Sequence, residues 1–415
     1  MVFKKQKSYP DFFSNSIWQV PFMGKTLDYL LWRGDLSFSQ DSFNDIDALI
    51  LALLSYLPLK DIVPGPDSQE AISLNETSSI FFKKHPIQDG HDANINSTAM
   101  SSFDNGLVKL LDQAARCARF KNVLLSKFEE NTDFVVGRQF AGLTYTLNNR
   151  KREKVIAFRG TDNSIIGWKE DFELSYMEQT PAQESAGKYL SNSINIFSGP
   201  ITVCGHSKGG NLAIFAGSHL SPIQQWKISK IINFDGPGFD FSITNRSTFE
   251  ACENKIFNYI PEDSMVGLLL ESVGKRTVVA SATRYINQHN AFNWNVIQKQ
   301  FIEGNLSSEA LLLEQTLKTW LKEISISERE TFLEALFDIL GASEGAMIKF
   351  NPEENIHEIK NILVKYAKLD NTTKELLTQI FNALTNQTKK TISTTIMEKI
   401  QKLIPATESH SENTQ

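Results

Sequence analysis

One hexapeptide in this chain has the residue types and spacing of an activated nucleophile: Gly205-His206-Ser207-Lys208-Gly209-Gly210. A β-branched run, Ile201-Thr202-Val203, precedes it, and a helical pattern, Asn211-Leu212-Ala213-Ile214-Phe215, follows. In a strand–turn–helix of this kind the flanking glycines are needed, because a side chain there would strike the neighbouring strand or helix. The serine hydroxyl then stands at the strand tip, above a helix N-terminus. There the Lys208 amide can stabilise a developing oxyanion. The bland alternative is an idle serine in a glycine-rich turn.

A serine hydroxyl needs a base, and the base needs an orienting acid. Four histidines lie C-terminal to Ser207: His219, at the end of the helical pattern that follows the serine, and His289, His357 and His410 farther on. His410 belongs to a polar tail and His357 to the expected surface of a helix. His289 sits in the polar loop Asn287-Gln288-His289-Asn290, just after the last strand candidate, where a base should stand. The acid is expected between Ser207 and His289, at the end of a strand. Asp263 fits, since Pro261-Glu262-Asp263-Ser264 breaks out of the strand ending at Ile260. Asp235, in Phe234-Asp235-Gly236-Pro237-Gly238, is the serious alternative; Asp240 and Glu262 are weaker. A second oxyanion donor is expected from Phe158-Arg159-Gly160-Thr161-Asp162, with Thr161 offering its amide and hydroxyl.

The elements that must position these groups read as an alternation. Strands are expected at 140–147, 154–158, 201–204, 228–234, 256–260 and 277–280, with helices at 181–197 and 212–218 between them. That order predicts an α/β fold, a mainly parallel sheet with helices on both faces. Upstream, helices are expected at 46–57, stopped by Pro58, and at 107–128. The stretch 64–103, with Pro64, Pro66, Pro86 and many polar residues, reads as a long lid-like excursion. Beyond 306 the pattern is helical only: Ser327-x-x-Glu330 is a capping box, Asn351-Pro352 a helix start, and Leu376 to Leu384 another amphipathic run. The divisions expected are an N-terminal segment 1–103 packed on or capping the core, a core at 104–305, a helical region at 306–405 and a disordered tail at 406–415.

Composition narrows the partners. The 415 residues are 41% hydrophobic and 22% charged, enough apolar material for a core. A formal net charge of −6 leaves no basic footprint for nucleic acid. The longest unbroken apolar run is the seven residues from Ala48 to Leu54, far short of the ~20 that span a bilayer. Peripheral membrane contact through the N-terminal lysines and aromatic residues stays open. No apolar stretch follows the basic N-terminus, so no secretory signal is expected. The cysteines, Cys117, Cys204 and Cys252, are too few and too scattered for a disulfide framework or a zinc site. A cytoplasmic location is the expectation.

Phe158-Arg159-Gly160-Thr161, the hexapeptide at 205–210, Asp263 and His289 together resemble class 3 (triacylglycerol-type) lipases of the α/β-hydrolase fold. Gly205 to Ala213, Asp28-Tyr29-Leu30-Leu31-Trp32-Arg33-Gly34-Asp35 and Gly167-Trp168-Lys169-Glu170-Asp171 are similar to an uncharacterised lipase-like family of Gram-positive bacteria. The likeness covers roughly residues 25–300. It implies Ser207, Asp263 and His289 as a triad and Thr161 at the oxyanion, beside the Lys208 amide expected from the turn itself; such chemistry requires no metal or organic cofactor. Class 3 lipases usually carry an apolar residue where this chain has Lys208, and the segment 162–180, where a lid would lie, is rich in acids; both speak against a triglyceride. The expected activity is hydrolysis of a small-molecule acyl ester or lipid by an acyl-enzyme route, the acyl part apolar given the aromatic segments 12–43 and 168–177. Two other readings share these residues: acyl transfer or thioester hydrolysis, and a catalytically silent binding or scaffold module with the helical tail as its partner surface.

Overall fold

A computed structural model describes residues 22–86, 102–133, 137–161, 170, 173–195, 197–323, 325–327 and 329–330. Strand β1 (Met23–Lys25) runs into helix α1 (Thr26–Arg33). Helix α2 (Asp45–Leu54) is apolar on every side from Ile46 on, apart from Asp47, and every residue from Ile46 to Leu54 is buried. Asn44 caps it, its side chain accepting from the Ile46 and Asp47 amides. Asp47 lies fully inside and is paired there: Arg119 donates to it through Nε at 2.7 Å and Nη2 at 2.6 Å, and the Tyr29 hydroxyl at 2.9 Å.

The expected excursion after Pro64 is ordered in its described part. β2 (Ile72–Ser73) leads into α3 (Leu74–Lys84), opened by a capping box in which Ser73 and Glu76 satisfy each other's backbone amides. That Ser-x-x-Glu signal is in the sequence but is hidden among prolines and polar residues. Residues 87–101 lie outside the described residues. Helix α4 (Ser102–Arg116) ends twelve residues before the expected Phe128. Leu124 to Phe128 belong instead to strand β3 (Leu124–Asp133). Helical spacing holds from Leu107 to Ala114. Beyond it Arg119 is drawn into the interior by Asp47, turning the chain, and Val123 and Leu125 alternate as a strand does.

β4 (Arg138–Thr146), β5 (Lys154–Phe158), helix α5 (Pro181–Ser193), β6 (Ile201–His206), helix α6 (Lys208–Ser218), β7 (Ile228–Phe234), β8 (Ile256–Pro261) and β9 (Lys275–Val279) complete the main sheet. Its order is β2-β3-β4-β5-β6-β7-β8-β9. The pairs from β5 to β9 are parallel, and those from β2 to β5 antiparallel. The sheet is therefore mostly parallel, as expected, with an antiparallel flank led by β3, which the sequence pattern does not reveal. A smaller sheet joins β1 to β10 (Asn295–Ile297) and β11 (Gln300–Phe301).

Period-two alternation divides the core between the two faces. Val155, Ala157, Cys204 and Ile232 pack with α1 to α4, while Ile156, Phe158, Val203 and Ile231 pack with α5 and α6. All three cysteines are free thiols. After β11, α7 (Ser308–Glu323) docks through Ala310 on Ile260 and Leu268. The helices expected after Ser327 lie largely outside the described residues. Among the described residues no helix is long and apolar enough to cross a membrane, and no group of three or more potential metal ligands occurs.

Candidate functional site

Ser207 sits between the end of β6 and the start of α6 with φ 58° and ψ −135°, a left-handed conformation a serine rarely adopts. Tight packing holds it there. The Ser207 amide donates to the Phe234 carbonyl at 2.9 Å, and the Gly210 amide donates back to the Ser207 carbonyl at 2.8 Å. A Cβ on Gly205 would lie 2.1 Å from the Gly209 carbonyl oxygen, so the turn closes only on glycine. Lys208 is the first residue of α6, and its amide is one of the N–H groups a helix start leaves without an intrahelical acceptor.

His289 ends a short 3₁₀ turn, Tyr285–His289. Its Nε2 lies 3.0 Å from Ser207 Oγ, in place to accept the hydroxyl proton, and its Nδ1 donates to Asp235 Oδ2 at 2.7 Å. Asp235 is fully buried; its other oxygen accepts from the Ser264 hydroxyl at 2.5 Å and the Gly267 amide at 3.2 Å. Three hydrogen bonds thus hold this carboxylate, which fixes the imidazole ring from behind.

The expected acid, Asp263, is not the partner of His289. Its Oδ2 accepts from the Tyr285 amide at 2.9 Å and from Gln288 Nε2 at 3.2 Å, and its own amide donates to Gln288 Oε1 at 2.7 Å. The reason is register. His206 of β6 lies opposite Phe234 of β7, so the residues that follow, Ser207 and Asp235, leave the sheet side by side. Asp263 leaves β8, one strand farther, and reaches the Tyr285 amide and the Gln288 side chain of the turn that carries the histidine, not its ring. Asp240 and Glu262 take other roles: Asp240 pairs with Arg329, and Glu262 accepts the Ser307 amide through its carbonyl.

The loop after β5 passes against the turn that carries Ser207. A Cβ on Gly160 would fall 2.5 Å from the His206 carbonyl and 2.9 Å from Ser207 Cβ, so the chain carrying Thr161 is brought to the serine. Residues 162–169 lie outside the described residues, as do 171 and 172.

Two supports come from residues to which the sequence patterns give no role. His206 is buried, and burial together with the neighbouring His289 pushes its pKa down to about 3. The ring is therefore neutral, with its proton on Nε2, which donates to the His289 carbonyl at 2.8 Å. Nδ1 is left to accept the Tyr56 hydroxyl at 2.9 Å. Nothing in the spacing of Tyr56, which follows the apolar α2, marks it as more than a core aromatic. On the far side of His289, the buried Trp294 donates its indole N–H to the Gln288 carbonyl at 2.7 Å.

Residues 114–338, more than half of the chain, match the Mbeg1-like family. The chain belongs to the Mbeg1-like family. The family match takes in Thr161, Ser207, Asp235, Asp263 and His289 but not Tyr56, so one support of the site comes from outside it. Among solved structures the chain is similar to the crystal structure of M37 lipase, at 17% identity over 53% of this chain and 68% of that one. The TM-score is 0.33, too loose a likeness to bear on the site. No curated protein matches the chain. This Mbeg1-like protein has a mixed α/β fold with a mostly parallel central sheet.

Proposed function

We propose that this protein is a serine hydrolase cleaving an acyl ester through Ser207, His289 and Asp235. One observation carries the reading: the line Asp235 Oδ2, His289 Nδ1, His289 Nε2, Ser207 Oγ, closed at 2.7 and 3.0 Å. A buried carboxylate, an imidazole and a hydroxyl in that sequence can pass the hydroxyl proton to an imidazole that the carboxylate orients, whatever their order along the chain. Strained backbone at the hydroxyl is itself a cost, and such a cost persists where a function needs the geometry.

His289 takes the Ser207 proton as Ser207 Oγ attacks the ester carbonyl. Asp235 holds the ring's tautomer and stabilises the imidazolium that forms. The Lys208 amide and Thr161 receive the oxyanion, aided by the positive end of α6. His289 then gives its proton to the leaving alkoxide. Water, deprotonated by the same ring, releases the acid. The rings of Phe103 and Tyr56 are in contact, centroids 5.1 Å apart, and Phe103 lies over His206. They supply an apolar flank that suits an apolar acyl group.

A fluorophosphonate probe at pH 8 tests the reading. Wild type is expected to label, and Ser207→Ala to stay unlabelled. A wild type that does not react would remove the hydrolase reading.

A further inference from the structure

Lys208 carries a charge where nothing in the proposed chemistry asks for one, since its amide and not its side chain faces the reaction. The ammonium is 2% exposed and lies 2.9 Å from Glu170 Oε2, itself in a side chain 1% exposed. The same Nζ donates to the Gln139 carbonyl at 2.9 Å. Glu170 in turn accepts the Gln139 amide at 3.1 Å on Oε2 and the Ala182 amide at 2.7 Å on Oε1. One buried ion pair therefore grips the first turn of α6, the start of β4 and the first turn of α5.

Taking two charges out of water is expensive, and a well-packed apolar pair of similar size often holds a fold as well or better. Stability alone is a poor reason for this pair. Its partners suggest another. Gln139 has both backbone groups tied to the pair, and Ala141, two residues on, accepts the Arg159 amide at 3.0 Å. Arg159 leads directly into Gly160 and Thr161. A chain of fixed bonds thus runs from the side chain of Lys208 through β4 to the loop that carries Thr161.

We infer that Lys208 and Glu170 are positioning residues that set the spacing between the Lys208 amide and the Thr161 loop, the two proposed oxyanion donors. The reading rests on the hydrolase proposal for its effect on rate, but the clamp itself is a statement about geometry. A pair of donors is effective only when both lie at hydrogen-bond distance from the oxyanion, and a displacement of about 1 Å costs on the order of 10²-fold in rate. Substituting the Lys208 side chain leaves its amide in place, so the test does not remove a donor.

The variants are Lys208→Met alone and Lys208→Met with Glu170→Gln. The single change leaves a buried carboxylate uncompensated and lowers Tm. The double change removes the uncompensated charge and recovers most of that loss in Tm, although a glutamine has only one oxygen for the two backbone amides that Glu170 accepts. If the pair is a clamp, the double variant keeps KM on a soluble ester, while kcat stays roughly 10- to 100-fold low. Amide exchange over 157–161 and 205–213 also rises about tenfold relative to wild type. A double variant whose kcat and exchange both return to wild-type values along with Tm overturns the inference, leaving the pair as packing. The exchange readout decides the clamp even if wild type fails to label with fluorophosphonate, an outcome that would strike the hydrolase reading alone.

Discussion

Asp235 and Asp263 leave the C-terminal ends of neighbouring parallel strands, and both serve His289, but in different ways. Asp235 is fully buried and bonds the ring. Asp263 is half-exposed and bonds the backbone and side chain of the turn that carries the ring. The distance of one strand separates a carboxylate that can stabilise charge on the imidazole from one that only places it. His206 belongs with Asp263 in this respect, since it bonds the His289 carbonyl and not its ring nitrogens. Restraint on the ring is expected to weigh on chemistry, and restraint on the backbone on placement and stability.

The largest test of that contrast is to neutralise each carboxylate in turn. Asp235→Asn keeps the shape but offers an amide to Nδ1, favouring the wrong tautomer; kcat is expected to fall by about 10³- to 10⁴-fold. Asp263→Asn keeps an oxygen for the Tyr285 amide and is expected to cost less than about tenfold in kcat. Steady-state kinetics on one soluble ester measures both. Equal losses, or a larger loss at Asp263, would reverse the assignment of the acid.

Why the sequence points to Asp263 first is instructive. The tight turn at Ser207, the proposed base His289 and the strands at 154–158 and 228–234 are legible, because glycine spacing, a lone loop histidine and β-branched runs are local signals. The acid is not local. Both aspartates satisfy the same pattern of strand followed by polar break, and only the pairing of His206 with Phe234 decides between them. β3 escapes for a related reason: its first residues continue an apolar series that reads as helix until Arg119 finds Asp47, a contact 72 residues away in sequence. Tyr56 carries no local mark at all, and Glu170 is marked only as part of a resembling segment, with no role attached; what each does is made by what the fold sets against it.

A smaller effect is expected on the backbone side, where His206 sharpens the contrast through pH. Its folded pKa, about 3, lies below the ordinary value for histidine, so between pH 6.5 and 3 the unfolded chain binds a proton that the folded chain does not. Stability therefore falls as pH drops through this window, by up to ~1.4 kcal/mol per pH unit from this group. Carboxylates add their own slopes, so the measurement is a difference: urea unfolding of wild type and His206→Asn at pH 4, 5, 6 and 7. The variant is expected to be less stable at pH 7 and to show a shallower dependence. Parallel curves would mean that His206 is charged, or solvated, in the folded protein.

The smallest effect is expected at Tyr56, which touches neither His289 nor Ser207 through a hydrogen bond but holds His206 Nδ1. Tyr56→Phe removes only the hydroxyl and leaves the ring contact with Phe103 in place. His206 Nδ1 then faces a buried gap without a donor, a loss of about 1–3 kcal/mol. If the bond to the His289 carbonyl keeps the base in register, part of that loss appears as a two- to fivefold fall in kcat with KM unchanged. If the hydroxyl merely packs, Tm falls and kcat does not. The split between these outcomes measures how much of the base's placement is supplied from α2's end of the molecule, outside the Mbeg1-like match. It also shows whether restraint on the backbone reaches the chemistry or stops at stability.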